Sequence, residues 1–149
     1  MNIYFAGYKK RFFQGWYFKQ STALGESIAV IPGYAVSAEG GKTAFIHVLT
    51  GQGSFYNEYP IDEFSADRNK LEIKIGNSLF SEEGLKLDVG GGIRVKGELW
   101  FSRFNPPRSR FLSPNAMGPF DFFPFMECRH YIYSLHHAVG GIFRPMIRK

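Results

Sequence analysis

At 149 residues, with 44% apolar and 17% aromatic side chains, the chain is too hydrophobic for a disordered protein and suits a single folded domain. The net charge of +5 sits at the ends: Lys9, Lys10, Arg11, Arg144, Arg148 and Lys149 hold six of the 18 basic residues, leaving 12 against all 13 acids between them, a net −1. A nucleic-acid binder needs a basic stripe on its folded body, so that class is excluded, whereas basic ends beside aromatic residues fit a peripheral touch on an anionic membrane surface.

Turn signals recur at short intervals, and apolar residues alternate with polar ones, as an antiparallel β protein requires. In chain order the expected strands are Gly15 to Gln20, Ser27 to Ser37, Thr43 to Thr50, Ser54 to Tyr59, Leu71 to Ile75, Ser78 to Ser81, Leu85 to Val89, Ile93 to Phe104 and Arg129 to His136. Gly40–Gly41, Gly76–Asn77 and Gly90–Gly91–Gly92 stand where hairpin turns are needed. Ile61 to Ala66 reads as one short helical turn, and no other segment has helical periodicity. Nine strands in sequence predict a lipocalin-like antiparallel barrel, or a strongly curved sheet, around an apolar interior large enough for one small ligand.

Asn105 to Phe125 breaks this rhythm with Pro106, Pro107, Pro114, Pro119 and Pro124. A Pro/Phe-rich stretch of that length is too long for a simple turn, and such loops are commonly lids or caps. It runs into the chemically richest part of the chain, Ser113 to His137, where four phenylalanines, two tyrosines, Asp121, Glu127, Cys128, Arg129 and three histidines share 25 residues. Rings build a dry cavity, and a carboxyl or imidazole inside one has a shifted pKa and can move protons.

On a regular strand His130 and His136 share one face, while Arg129, Tyr131, Tyr133, Leu135 and His137 take the other. His136 and His137 therefore cannot both point into a barrel, and His130 is the favoured inward base. Glu127 follows the apolar run Phe122 to Met126, which suits an acid; a salt bridge with Arg129, two residues on, is the competing structural role. Asp121 is the alternative acid, or a turn cap through its backbone. The histidine spacing matches no usual zinc ligand set, so no metal is expected. Cys128 reads as a small buried hydrophobe, and a lone cysteine fits a reducing compartment; the basic cluster after the apolar start is the reverse of a secretory signal, which points to the cytoplasm.

Two motifs carry a family resemblance. MGPFDFFPFMECRH (Met117 to His130) followed by SLHH (Ser134 to His137), together with the earlier FFQGWYFK (Phe12 to Lys19), resembles the tocopherol cyclase-like family in both motifs and their order. The segments through Ile31–Pro32–Gly33, Ala44–Phe45–Ile46 and Ile75–Gly76–Asn77 fit the same pattern. The resemblance implies a lipocalin-like β architecture and cyclisation of a prenylated hydroquinone to a chromanol, without redox cofactor or metal. The phenolic hydroxyl adds across the nearest side-chain double bond, which needs an acid for the alkene, aromatic faces for the tertiary cation and a base for the phenolic proton. Glu127 or Asp121 would supply the first and His130 the last. Phe120, Phe123, Phe125 and His136 would line the substrate, as would Trp16 and Phe18, whose simplest role is packing of the first strand.

Members of that family are about twice this length, with a second β-rich half that has no counterpart here. Three expectations stay open: a cyclase; a non-catalytic lipocalin-like binder of a lipid or prenyl ligand; or an inactive fragment that lacks its C-terminal half. A fragment would leave an open sheet edge prone to self-association.

Overall fold

The computed structural model describes residues 11–91, 94–104, 134 and 138–146. Among them the chain is all-β, with eleven strands: β1 Phe12–Gly15, β2 Phe18–Ser21, β3 Ser27–Val36, β4 Lys42–Thr50, β5 Gly53–Pro60, β6 Phe64–Ala66, β7 Glu72–Ile75, β8 Ser78–Ser81, β9 Gly84–Gly90, β10 Arg94–Phe101 and β11 Val139–Met146. They form two sheets with antiparallel pairing. One has the order β1-β3-β4-β5 with β2 also paired to β3, and the other runs β11-β10-β9-β8-β7-β6. No closed barrel is seen among the described residues. The chain divides into two units, Met1–Trp100 with Gly140–Lys149, and Phe101–Val139.

The first expected strand, Gly15 to Gln20, is divided in two, and the cause lies on its neighbour. β1 pairs Gly15 with Gly33, and β2 pairs Phe18 with Val30, so both keep one continuous register on β3. That register sets Trp16 opposite Pro32. The Trp16 amide donates to the Pro32 carbonyl at 2.9 Å, but proline has no N–H to return the bond, and the ladder lapses for two residues. Side-chain alternation continues through the gap: Trp16 and Phe18 are buried, while Phe13, Tyr17 and Lys19 are exposed.

The inner face of the first sheet carries Phe12, Trp16, Phe18, Val30, Tyr34, Val36, Ala44, Ile46 and Val48. That of the second carries Phe64, Ile73, Ile75, Phe80, Leu85, Leu87, Val89, Val95 and Leu99. Period-two alternation puts the apolar side chains of each strand on one face and leaves Lys74, Lys86, Lys96 and Glu98 in water on the other side of the second sheet. Aromatic pairs join the two inner faces: Phe64 lies 5.2 Å from Tyr34 and 6.4 Å from Trp16, and Phe80 lies 5.6 Å from Phe18, between ring centroids. These spacings are those of favourable offset or tilted ring pairs.

The corner between the sheets is a single 3-10 turn, Ile61–Glu63, so the helical turn expected over Ile61 to Ala66 covers only half that span; Phe64–Ala66 is strand β6. Gly76 and Asn77 make the predicted two-residue turn, with Ile75 paired to Ser78 and Gly76 at φ 54°, in the left-handed region glycine enters without strain. Asp67 shapes the next connection. Its Oδ1 accepts from the amides of Asn69 (2.7 Å) and Lys70 (3.1 Å), and these two bonds hold its carboxyl below its usual value.

β10 stops at Phe101, short of the expected Phe104, and strand β11 is not among the expected strands. Gly141 is needed there: a Cβ would collide with the Glu98 carbonyl and stand 2.8 Å from Leu99 Cα. The expected strand Arg129 to His136 lies outside the described residues apart from Ser134.

Gly33 illustrates how the sheet constrains sequence on its other face. Its cross-strand partner is Phe45, whose ring lies flat over it: a Cβ at Gly33 would meet Phe45 Cζ at 2.5 Å, Gly15 Cα at 3.0 Å and the Gln14 carbonyl closer still. The ring in turn stacks on Tyr56 at 5.4 Å and is only 8% exposed although it faces away from the core. Gly33→Ala is expected to destabilise the protein by roughly 1–3 kcal/mol or more, since overpacking here strikes backbone atoms that cannot rotate away. Urea denaturation checks this. The double variant Gly33→Ala, Phe45→Leu should remain destabilised, because the Gln14 carbonyl stays in place.

Candidate functional site

In sequence, the chemistry-bearing stretch falls between β10 and β11, which are neighbours in the second sheet. Within the second unit, the Ser102 amide donates to the Ala138 carbonyl at 2.8 Å, and the Ala138 amide donates to Ser102 Oγ at 2.8 Å. Ser102 and Ala138 are thus joined by a reciprocal pair of hydrogen bonds, and the Phe101 and Phe104 rings lie 6.0 Å apart.

Of the sequence-predicted site residues, Glu127, His130, Asp121, Phe120, Phe123, Phe125 and His136 lie outside the described residues, as do Cys128 and Arg129. Trp16 and Phe18 are described, and both lie in the core between the sheets, 6% and 8% exposed, packed on Phe64 and Phe80. Among the described residues the buried polar side chains are Asn57 and Ser78. Asn57 Nδ2 donates to the Ile46 carbonyl at 3.2 Å. Ser78 Oγ accepts from the Asp88 amide at 3.0 Å and donates to the Asp88 carbonyl at 3.4 Å, standing in for a strand neighbour beyond the last β8–β9 pair. The inner faces described thus bury no carboxyl, imidazole or amine, and Tyr34 is the ionisable side chain among their buried residues.

A second constellation comes together that sequence reasoning did not assemble. Tyr59 at the end of β5, Glu63 in the 3-10 turn, the Gly76–Asn77 turn, Asp88 and Gly90 on β9, Gly91, and Arg94 at the start of β10 line a polar cleft of about 500 Å³. A smaller cleft of about 300 Å³ continues from it past Asp62, Ser65 and Lys74. Tyr59 belongs to the inner face of the first sheet, but it lies beyond the end of the second sheet's core and reaches over its turns. A Cβ on Gly76 would stand 3.2 Å from both Glu63 Oε2 and Tyr59 Cε1, so acid and ring converge over the bare glycine.

Burial, then the charges of Glu63 and Asp88, push the Tyr59 phenol above its ordinary value of 10.0. Because the native state holds this proton more tightly than the unfolded chain, the corresponding stability is fully present below pH 10 and is lost as pH rises through the folded value. The melting temperature should therefore fall in alkaline solution, and Tyr59→Phe should reduce that fall. Thermal melts at pH 8 and at several values above pH 10 check it. Tyr56, also raised by burial and by Glu58, retains its own contribution in both proteins.

The only sequence signals for this cleft were its glycine turns, since residues 59, 63, 76, 88 and 94 are brought together by strand order alone. Among the described residues no group of three or more His, Cys, Asp or Glu side chains could hold a metal ion, and no helix is long and apolar enough to cross a membrane. No family model matches the chain, and neither a curated protein nor a solved structure matches it.

Proposed function

We propose that this chain is a tocopherol cyclase-like protein that closes a prenylated hydroquinone to a chromanol by acid–base catalysis in an apolar pocket. The reading rests on the two sequence motifs. The all-β architecture supports it: in sequence, the Pro/Phe/His-rich stretch falls between β10 and β11, which are neighbours in one antiparallel sheet. In this reading the two sheets belong to a lipocalin-like barrel or strongly curved sheet. Glu127, or Asp121, protonates the alkene carbon, the phenolic oxygen attacks the tertiary cation, and His130 takes the phenolic proton. The reaction is an isomerisation, so no atom or electron is left over and neither metal nor redox cofactor enters. Its partner is a hydrophobic small molecule rather than a nucleic acid, met in the cytoplasm or at a membrane surface that the basic ends touch.

A second reading, a non-catalytic binder of a lipid or prenyl ligand, is favoured by one observation: among the described residues the inner faces bury rings and aliphatics with Asn57, Ser78 and the Tyr34 phenol as the polar groups, and no carboxyl or imidazole. Incubating folded protein with a prenylated hydroquinone and separating the products by chromatography tests the first reading; absence of chromanol overturns it for that substrate. Quenching of tryptophan fluorescence by apolar ligands, without turnover and with affinity unchanged in Glu127→Gln, would establish the binder instead.

A further inference from the structure

Charges on the outer face of the second sheet pair wherever register allows. Lys86 meets Glu98 at 3.4 Å, Lys96 meets its cross-strand partner Asp88 at 3.7 Å, and Lys70 meets Glu72 at 2.7 Å. Two charges in the polar cleft break this pattern. The cross-strand partner of Arg94 is Gly90, which has no side chain to offer, and Glu63 stands on the 3-10 turn. Among the described residues neither makes an ion pair. A guanidinium and a carboxylate of opposite sign thus line one cleft of about 500 Å³ without meeting each other's charge within it.

We propose that this cleft binds a small zwitterion, its ammonium end against Glu63 and the Tyr59 ring and its anionic end on Arg94. A carboxylate beside an aromatic ring is the usual recognition pair for an ammonium, and a guanidinium fork suits a carboxylate or phosphate. Gly90 has open space where a side chain would stand, so such a ligand can approach the backbone there, and a side chain at 76 would fill the space over which Glu63 and Tyr59 converge. The Tyr59 phenol keeps its proton beside two acids, so it serves the site as a neutral hydroxyl donor. The proposal draws on none of residues 113–137, and its fate does not depend on the proposed cyclisation.

The same charge pair occurs in a free amino acid and in a zwitterionic lipid headgroup, so the test uses glycine and phosphocholine, with acetate, inorganic phosphate and tetramethylammonium as single-charge controls. Amide NMR titration of the full chain should show saturable shifts centred on Gly76, Asn77, Gly90 and Gly91 for a zwitterion, with binding at least about threefold tighter than for either half alone. Glu63→Gln and Arg94→Gln should each weaken it by about three- to tenfold, as expected for charge-assisted bonds near the surface. Both residues are exposed, so the variants should keep the parent spectrum elsewhere. Response to glycine alone identifies a free amino acid, response to phosphocholine alone a lipid headgroup, and response to both a site that reads charge separation. No saturable shift with either, equal affinity for the half-ligands, or unchanged binding in both variants would overturn the proposal.

Discussion

On the cyclase reading, Glu127→Gln is expected to lower chromanol formation by about 10²–10⁴-fold, the usual contribution of a positioned general acid, while ligand-induced fluorescence quenching stays the same. Glutamine keeps the size and the hydrogen-bonding capacity of a protonated glutamic acid but cannot deliver a proton to an alkene. The contrast is informative because Glu127 has a rival role as the ion-pair partner of Arg129. If that pairing is what the residue does, the substitution leaves turnover unaffected and lowers the melting temperature instead. Asp121→Asn serves as the parallel measurement: loss of turnover there, with Glu127→Gln active, would transfer the acid to Asp121. Retention of full turnover in both variants removes carboxylic acid catalysis from these positions altogether.

Phe80→Ala is expected to destabilise the fold by roughly 3–5 kcal/mol, the range for deleting a fully buried aromatic side chain. Phe80 has no exposed surface, pairs across the sheet with Ile73 and Leu85, and meets Phe18 of the opposite sheet at 5.6 Å. Its removal therefore takes away transfer free energy and leaves a hole bounded by two sheets whose backbones are fixed by their ladders. Leu79, one residue earlier, points the other way and is 39% exposed. Leu79→Ala should cost well under half as much. Urea denaturation of the two variants, read as a shift in midpoint at constant slope, compares them directly. Similar losses for both would mean that the alternation of β8 does not define inside and outside as described here.

The sheets were legible from the sequence because the signals that specify them are local. Strand β8 has the expected bounds, and the Gly76–Asn77 turn and the Gly40–Gly41 region lie where glycine chemistry put them, since a two-residue turn and a period-two stripe need nothing beyond their own neighbours. The features that escaped depend on a partner strand. Pro32 interrupts the strand opposite, not its own, and Gly141 belongs to a strand because the Glu98 carbonyl and Leu99 backbone beside it leave no room for a Cβ.

The same division applies to the two functional regions. Ser113 to His137 is conspicuous because its rings, acids and histidines are contiguous, and the chain alone supplies that chemistry. The polar cleft is invisible in the chain: Tyr59, Glu63, Asp88 and Arg94 are each ordinary surface residues in their own segments. What the sequence by itself determined is an antiparallel β framework and a contiguous stretch dense in rings, acids and histidines, because alternation, turns and residue type act over a few positions. What only the tertiary structure decided is the split into two facing sheets and the convergence of Glu63 and Tyr59 over Gly76 in a cleft that Arg94 also lines, because both follow from which strands pair and in what register.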